Sequence, residues 1–255
     1  MRFQSPERTL MSRAEETIPS GTIDVWPLGL VGTEECRREL ASLLSPEERE
    51  RAGRYYFERD RHAFVFARGQ MRVLLGRYCG VHASAVRLEK GDAGKPRLAA
   101  DQALARVISF NFTHSAGRAL MAVSVGREVG VDLESHDRRT DVLALADRYF
   151  FSSELEAIRS APAELQRTLF FRFWTAKEAV LKAQGIGLGA PLDSFRVDLA
   201  DDLALTAVHS LDKKHIDEGW YLRALPCEPG WSAAVVAKGD DWTVRIRAQS
   251  GETQS

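Results

Sequence analysis

No run of eighteen or more apolar residues occurs in the chain, so no helical bilayer span of ordinary length is expected. The opening stretch, MRFQSPERTLMSRAEETIPSG, has no apolar core of the kind a secretory leader carries. Cysteine is scarce: Cys36, Cys79 and Cys227 are odd in number and widely spaced. That pattern excludes a zinc motif and a disulfide framework, and it suits a reducing compartment. Charge of one sign is not in excess either. Lys plus Arg number 35 against 36 for Asp plus Glu, so no global field invites nucleic acid or a membrane surface. Arginines do cluster locally between Arg49 and Arg77. The expectation is a soluble cytoplasmic protein with loose ends at residues 1–20 and 248–255.

What is present is punctuation, and it comes twice. Ser45, Pro46 and Glu48 form a capping-box helix start. An apolar helix over 63–78 stops near Gly80, and a short strand, a Gly/Pro turn and two strands around Ser115–Gly117 follow. The second half repeats the order. FSSELEAI predicts a capping box from Ser153 to Glu156, and a helix from about Leu165 stops at Gly185. SFRVDL and GWYLRALPCEPGWSAAVVA then predict one strand and two more around a Pro-Gly turn. The spacing from start to stop is 35 positions in one half and 32 in the other. An internal duplication predicts an α+β pseudodimer: residues 21–126 as the N-terminal half, 127–247 as the C-terminal half with the metal site, and a ligand cleft between them. Low identity between the halves leaves convergent α+β patterning as the alternative.

The strand GVDLE places Asp132 and Glu134 on one face and Leu133 on the other. Alone, such a pair is the ordinary end of a solvated strand. The segment FRFWTAKEAVLKAQGIGL changes its meaning. Glu178 and Lys182 share a narrow stripe one turn apart, while Phe173, Trp174, Ala176, Ala179, Val180 and Leu181 cover the other directions. An exposed i,i+4 ion pair would also give that stripe. A third carboxylate beside Asp132 and Glu134 would instead complete an oxygen-rich site for a hard divalent cation such as Mg²⁺, with Lys182 neutralising substrate oxygens.

Positive and hydroxyl groups suited to an anion lie elsewhere. AGKPRL sets Lys95 between a Gly turn and Pro96, and FNFTHSAG sets Thr113 and His114 at a strand end before Ser115 and Gly117. Taken singly, each has a plain alternative: an exposed turn lysine and a histidine satisfied at a hairpin corner. Arg59 sits in a basic stretch whose default is a solvated helix face. Cys79, His82, His136, His209 and His215 form no ligand spacing. GIGLGA follows a helix instead of opening one, so it is no dinucleotide fingerprint.

Taken together, GKPRL, FNFTHS, GVDLE and FWTAKEAVLKAQGIGL resemble, in order and spacing, the 4'-phosphopantetheinyl transferases of the Sfp type. The resemblance spans Arg59 to Phe195. It implies a single-chain pseudodimer with coenzyme A between the halves. The implied reaction moves 4'-phosphopantetheine onto a serine of an acyl or peptidyl carrier protein and leaves adenosine 3',5'-bisphosphate. Carried over by position, Asp132, Glu134 and Glu178 match the Mg²⁺ ligands, with Mn²⁺ also compatible. Glu178 matches the general base and Lys182 the lysine at the pyrophosphate. Arg59, Lys95, Thr113, His114, Asp132 and Lys182 are the positions implied against coenzyme A. Thr113 replaces the usual serine and keeps its hydroxyl; Leu133, at a variable position, cannot bind metal.

The expected partners are carrier domains and coenzyme A, with no nucleic acid or membrane, and the chain is expected to be a monomer. Fatty-acid, polyketide and nonribosomal peptide carriers all present a serine at a helix start. Two other readings are compatible with these residues. One is another Mg²⁺-dependent nucleotide phosphotransferase or pyrophosphatase. The other is a non-catalytic carrier-binding protein.

Overall fold

The computed structural model describes residues 1–11, 15–91, 94–102, 104–186, 190–200, 205–211 and 216–247. Each half begins with a strand: β1 (Thr22–Gly29) in the first and β6 (Val129–Ser135) in the second. Three helices follow in each. In the first half they are α2 (Glu34–Ser42), α3 (Pro46–Gly53) and α4 (Glu58–Cys79), after a short α1 (Pro6–Met11). In the second they are α5 (Val142–Tyr149), α6 (Ser152–Ser160) and α7 (Ala163–Gln184). A small hairpin comes next, β2 (Leu88–Lys90) with β3 (Pro96–Leu98), and β7 (Phe195–Leu199) with β8 (Leu205–Ser210). Two longer strands close each half, β4 (Ile108–Ser115) with β5 (Arg118–Val125), and β9 (Trp220–Ala224) with β10 (Trp231–Lys238).

The sheets confirm the doubling. The first runs β1-β5-β4 and the second β6-β10-β9, each with the opening strand antiparallel to the last. Both long helices span 22 residues and stop on a left-handed glycine, Gly80 at φ 64° and Gly185 at φ 69°.

Strand alternation sorts the side chains into three cores. Odd residues Ile23 and Val25 of β1 and even residues Leu120 and Ala122 of β5 meet Val129, Val131 and Leu133 of β6 and Ala233, Val235 and Ala237 of β10. This is the dry layer between the two sheets. The opposite faces pack on helices, Trp26, Leu28, Met121 and Val123 against α4, and Ala234 and Val236 against α7. The layers therefore run helix, sheet, sheet, helix.

Three local expectations change. The capping box at Ser45 and Glu48 is present. The second is only half a box and starts two residues earlier: Phe151 N–H donates to Glu154 at 2.9 Å, Phe151 has no side-chain acceptor to return the bond, and Ser153 is exposed inside the first turn. Glu154 is drawn inward because its other oxygen accepts Val197 N–H at 2.8 Å. The expected boundary at 126/127 also fails to hold everything after it in the second half. β11 (Thr243–Ile246) returns to the first sheet and pairs parallel with β1, Asp24 opposite Arg245. The start of the chain is packed, unlike the loose extension expected over 1–20: Gln4 bridges to Leu28, and Thr9 donates to Gln70 at 2.9 Å. Residues 248–255, His215 and part of GIGLGA (187–189) lie outside the described residues. Among the described residues no helix is long and apolar enough to cross a membrane.

Candidate active site

One glycine sets how closely α7 can lie on β6. A Cβ on Gly130 would stand 2.0 Å from Ala179 O and 2.5 Å from Ala183 N, so only glycine fits. Each alanine at that contact follows a polar residue of the stripe, Glu178 before Ala179 and Lys182 before Ala183. The close approach brings that stripe beside the even-numbered face of β6, which carries Asp132 and Glu134.

The other wall comes from the first half. β4 and β6 are edge strands of different sheets, and side chains join them where a backbone ladder would otherwise run. Asn111 Oδ1 accepts Val131 N–H at 2.9 Å. Thr113 Oγ1 donates to Asp132 Oδ1 at 2.9 Å, and Ser115 Oγ to Glu134 Oε2 at 2.9 Å. The β4–β5 turn that ends this wall has two left-handed residues, Ala116 at φ 43° and Gly117 at φ 78°, as a tight hairpin requires.

Asp132 is the centre of the arrangement. It is 2% exposed. Its Oδ1 accepts Lys182 Nζ at 2.5 Å besides Thr113, while Oδ2 is buried with no hydrogen-bond partner among the described residues. Lys182 also donates to Thr113 Oγ1 at 3.1 Å. Glu134 Oε1 accepts Arg138 at 3.0 Å. Burial, and then the Asp132 charge, push the Glu134 carboxyl above its usual range, with Ser115, Arg138 and Lys182 opposing. Burial raises Glu178 likewise, reinforced by Asp132 and Glu134 and opposed by Lys182.

The three acids share one electrostatic neighbourhood, yet they do not form a finished cage. Among the described residues no three His, Cys, Asp or Glu side chains stand close enough to hold a metal ion. Asp132, Glu134 and Glu178 are therefore neighbours that are not gathered on one point in this arrangement. Two of them are paired with cations instead, Asp132 with Lys182 and Glu134 with Arg138. The set still fits a hard cation, because every donor is a carboxylate oxygen and one of them, buried Asp132 Oδ2, is unsatisfied.

The remaining expected residues divide. His114, the last residue but one of β4, is exposed, and desolvation by the protein around it, followed by the Lys182 charge, lowers its imidazole pKa. Lys95 crosses between the halves. Its Nζ binds Glu128 at 3.0 Å, Val129 O at 3.1 Å and Ala183 O at 3.2 Å, tying the β2–β3 hairpin to the end of α7. Arg59 does not join the group. It is exposed on the first turn of α4, 3.5 Å from Asp60 and over the Phe57 ring.

Other cations are better placed than Arg59. A groove of about 1630 Å³ opens between α3, α4 and the β2–β3 hairpin, reaching Gly94 and Pro96 on either side of Lys95. Arg51 and Arg68 lie over Phe64, 5.3 and 5.8 Å from the ring centroid, and both line this groove. Desolvation lowers the Arg68 pKa, and the nearby Arg51 and Arg72 charges add to that. Arg72 is already neutralised by Glu48 at 2.6 Å. The Arg49–Arg77 cluster was the sequence signal for these groups.

Lys177, the third charge in the apolar helix, has a different task. It is 0% exposed and pairs with Glu154 at 2.9 Å, and it donates to Leu192 O and Phe195 O at 2.7 Å each. It locks α6, α7 and β7 together inside the second core, away from the acids.

The chain's relatives fit a carboxylate-and-lysine site at the seam of a doubled fold. Residues 33–125 match the profile described as 4'-phosphopantetheinyl transferase, N-terminal, and residues 128–236 match that of the 4'-phosphopantetheinyl transferase superfamily. The two matches divide between β5 and β6, where the structure passes from one sheet to the other. The chain belongs to the 4'-phosphopantetheinyl transferase family. It is 36% identical over 226 residues to 4'-phosphopantetheinyl transferase HetI of Nostoc sp., covering 89% of this chain and 92% of that protein. It is 28% identical over 220 residues to 4'-phosphopantetheinyl transferase Sfp of Bacillus subtilis, covering 86% and 93%. With the human L-aminoadipate-semialdehyde dehydrogenase-phosphopantetheinyl transferase it shares 33% identity over 164 residues, 62% of this chain and 53% of the other.

Proposed function

We propose that this enzyme transfers 4'-phosphopantetheine from coenzyme A to a serine of an acyl or peptidyl carrier protein and releases adenosine 3',5'-bisphosphate. The observation that carries the reading is Asp132: buried, shared by Thr113 and Lys182 from opposite halves, and left with one open oxygen.

The carrier's serine oxygen attacks the β-phosphorus of coenzyme A, and the bond to the bridging oxygen of the pyrophosphate breaks. Glu178 takes the serine proton. Burial, and then the Asp132 charge, raise its pKa, which makes its carboxylate a stronger base than an exposed one. Lys182 stabilises the charge that collects on the departing bisphosphate. Asp132, Glu134 and Glu178 would hold Mg²⁺, which supplies charge neutralisation at the pyrophosphate when bound. Thr113 orients Lys182 and Asp132 through its hydroxyl. His114 and Lys95 border the coenzyme at the same seam. The 3'-phosphate belongs in the basic groove, where Arg51 and Arg68 favour an anion more than exposed Arg59 does.

A cytoplasmic, monomeric enzyme is part of the same reading, since both walls of the seam come from one chain. The test is incubation with coenzyme A, Mg²⁺ and a panel of apo-carriers, read by intact mass. A carrier heavier by one phosphopantetheine supports the proposal. Hydrolysis of coenzyme A with every carrier unmodified would overturn it in favour of a pyrophosphatase.

A further inference from the structure

The loop after β6 carries a guanidinium to the acids of the site. Arg138 donates to Glu134 Oε1 at 3.0 Å, yet its side chain remains 60% exposed at the mouth of the site. Its backbone does not share that freedom. Arg167, on α7, donates to His136 O at 2.6 Å, to Thr140 O at 3.4 Å and to Arg138 O. His136 is stacked on Phe171 at 4.8 Å and bonded to Ser232 at 2.9 Å. The loop is therefore fixed at both ends while the guanidinium it carries can swing.

We infer that Arg138 is a positioning residue that acts as the resident counter-ion of Glu134 and competes with a divalent cation for that carboxylate. This rests on the reading of Asp132, Glu134 and Glu178 as cation ligands. The chemistry is an exchange of partners. Glu134 Oε2 accepts one hydrogen bond from Ser115 and Oε1 one from Arg138, so a cation at Oε1 has to share that oxygen with a guanidinium or replace it. The charged partner resists twice, through its bond to the oxygen and through repulsion of the incoming cation. Asp132 keeps one oxygen free while Lys182 stays bound, so cation entry starts there.

The test is Mn²⁺ titration of the full chain, without coenzyme A or carrier, followed by calorimetry and electron paramagnetic resonance. Wild type, Arg138→Gln and Arg138→Lys are compared, with Asp132→Asn as the control for site occupancy. Arg138→Gln should bind Mn²⁺ roughly two- to fivefold more tightly, the range expected when one exposed ion pair is removed. Arg138→Lys should fall between it and wild type, and neither should shift the melting temperature. Affinity in Arg138→Gln equal to or weaker than wild type overturns the inference while leaving the cation site intact. Mn²⁺ binding that Asp132→Asn does not diminish overturns the cation site itself, and this inference with it.

Discussion

Asp24 and Asp132 occupy comparable places: each is a buried acid on the opening strand of its half, facing the long helix. Asp24 is closed. It accepts Tyr78 OH from α4 at 2.7 Å and both arms of Arg245 from β11 at 2.6 and 2.9 Å, so neither oxygen is left over. Asp132 accepts Lys182 from α7 and Thr113 from β4, and its second oxygen stays open. The difference is one strand. The first sheet gained β11 beside β1, whereas β6 has the edge of the other sheet beside it. The doubled fold supplies two similar acids, and chemistry becomes available where the second half lacks the element that would satisfy it.

The comparison breaks most visibly in turnover. Asp132→Asn should lower the transfer rate by roughly 10²–10³-fold, with a melting temperature close to wild type. Asp24→Ala should do the reverse, keeping the rate per folded molecule and losing about 3–5 kcal/mol of stability, because it strands buried partners. Equal loss of activity in both variants would show that the two acids do not differ in kind.

The two lysines of α7 repeat the contrast on a smaller scale. Lys177→Met should cost about 3–5 kcal/mol in denaturant unfolding, since it leaves Glu154 buried and unpaired. Lys182→Met should also destabilise, since it leaves buried Asp132 with only Thr113, but unlike Lys177→Met it should depress turnover per folded molecule. Gly130→Ala comes next, at about 1–3 kcal/mol from overpacking against Ala179 and Ala183. It should also lower turnover, because α7 must move away from β6.

The smallest expected effect is in pH dependence. Glu134 and Glu178 have folded-state pKa values above the ordinary 4.5. In the window from that value up to the raised ones, the folded state holds protons the unfolded state has released. Their contribution to stability is therefore present at low pH and lost as pH rises through the folded pKa. Glu178→Gln should accordingly gain stability relative to wild type as pH increases across that window, as read from urea midpoints. Mn²⁺ affinity of the wild type should run the other way, weakening as pH falls through the same window.

Much of the architecture was legible because it depends on local rules. Ser45 with Glu48, Gly80, Gly185 and the Ser115–Gly117 turn each mark a boundary through their own backbone preferences. The capping box at Ser153 misled because Glu154, not Glu156, bonds the helix start, and Glu154 is held inward by Lys177, 23 positions away. β11 was missed for a similar reason: TVRI is a short strand whose partner β1 lies across the whole chain. Within the site, the pair Asp132 and Glu134 and the stripe Glu178 and Lys182 follow from strand and helix periods. Their mutual placement does not. It depends on Gly130 admitting α7 and on the register between β4 and β6, which belong to different sheets. Arg59 and Arg68 could not be ranked from sequence, since only burial beside Phe64 distinguishes them.

The most direct test is a crystal of the full chain grown with coenzyme A and Mn²⁺, read by anomalous scattering. The expected result is a single strong peak at bonding distance from Asp132 Oδ2, shared with Glu134 or Glu178 and with pyrophosphate oxygens. A coenzyme bound at the seam with its metal peak elsewhere, and Asp132 still paired only to Lys182 and Thr113, would contradict it.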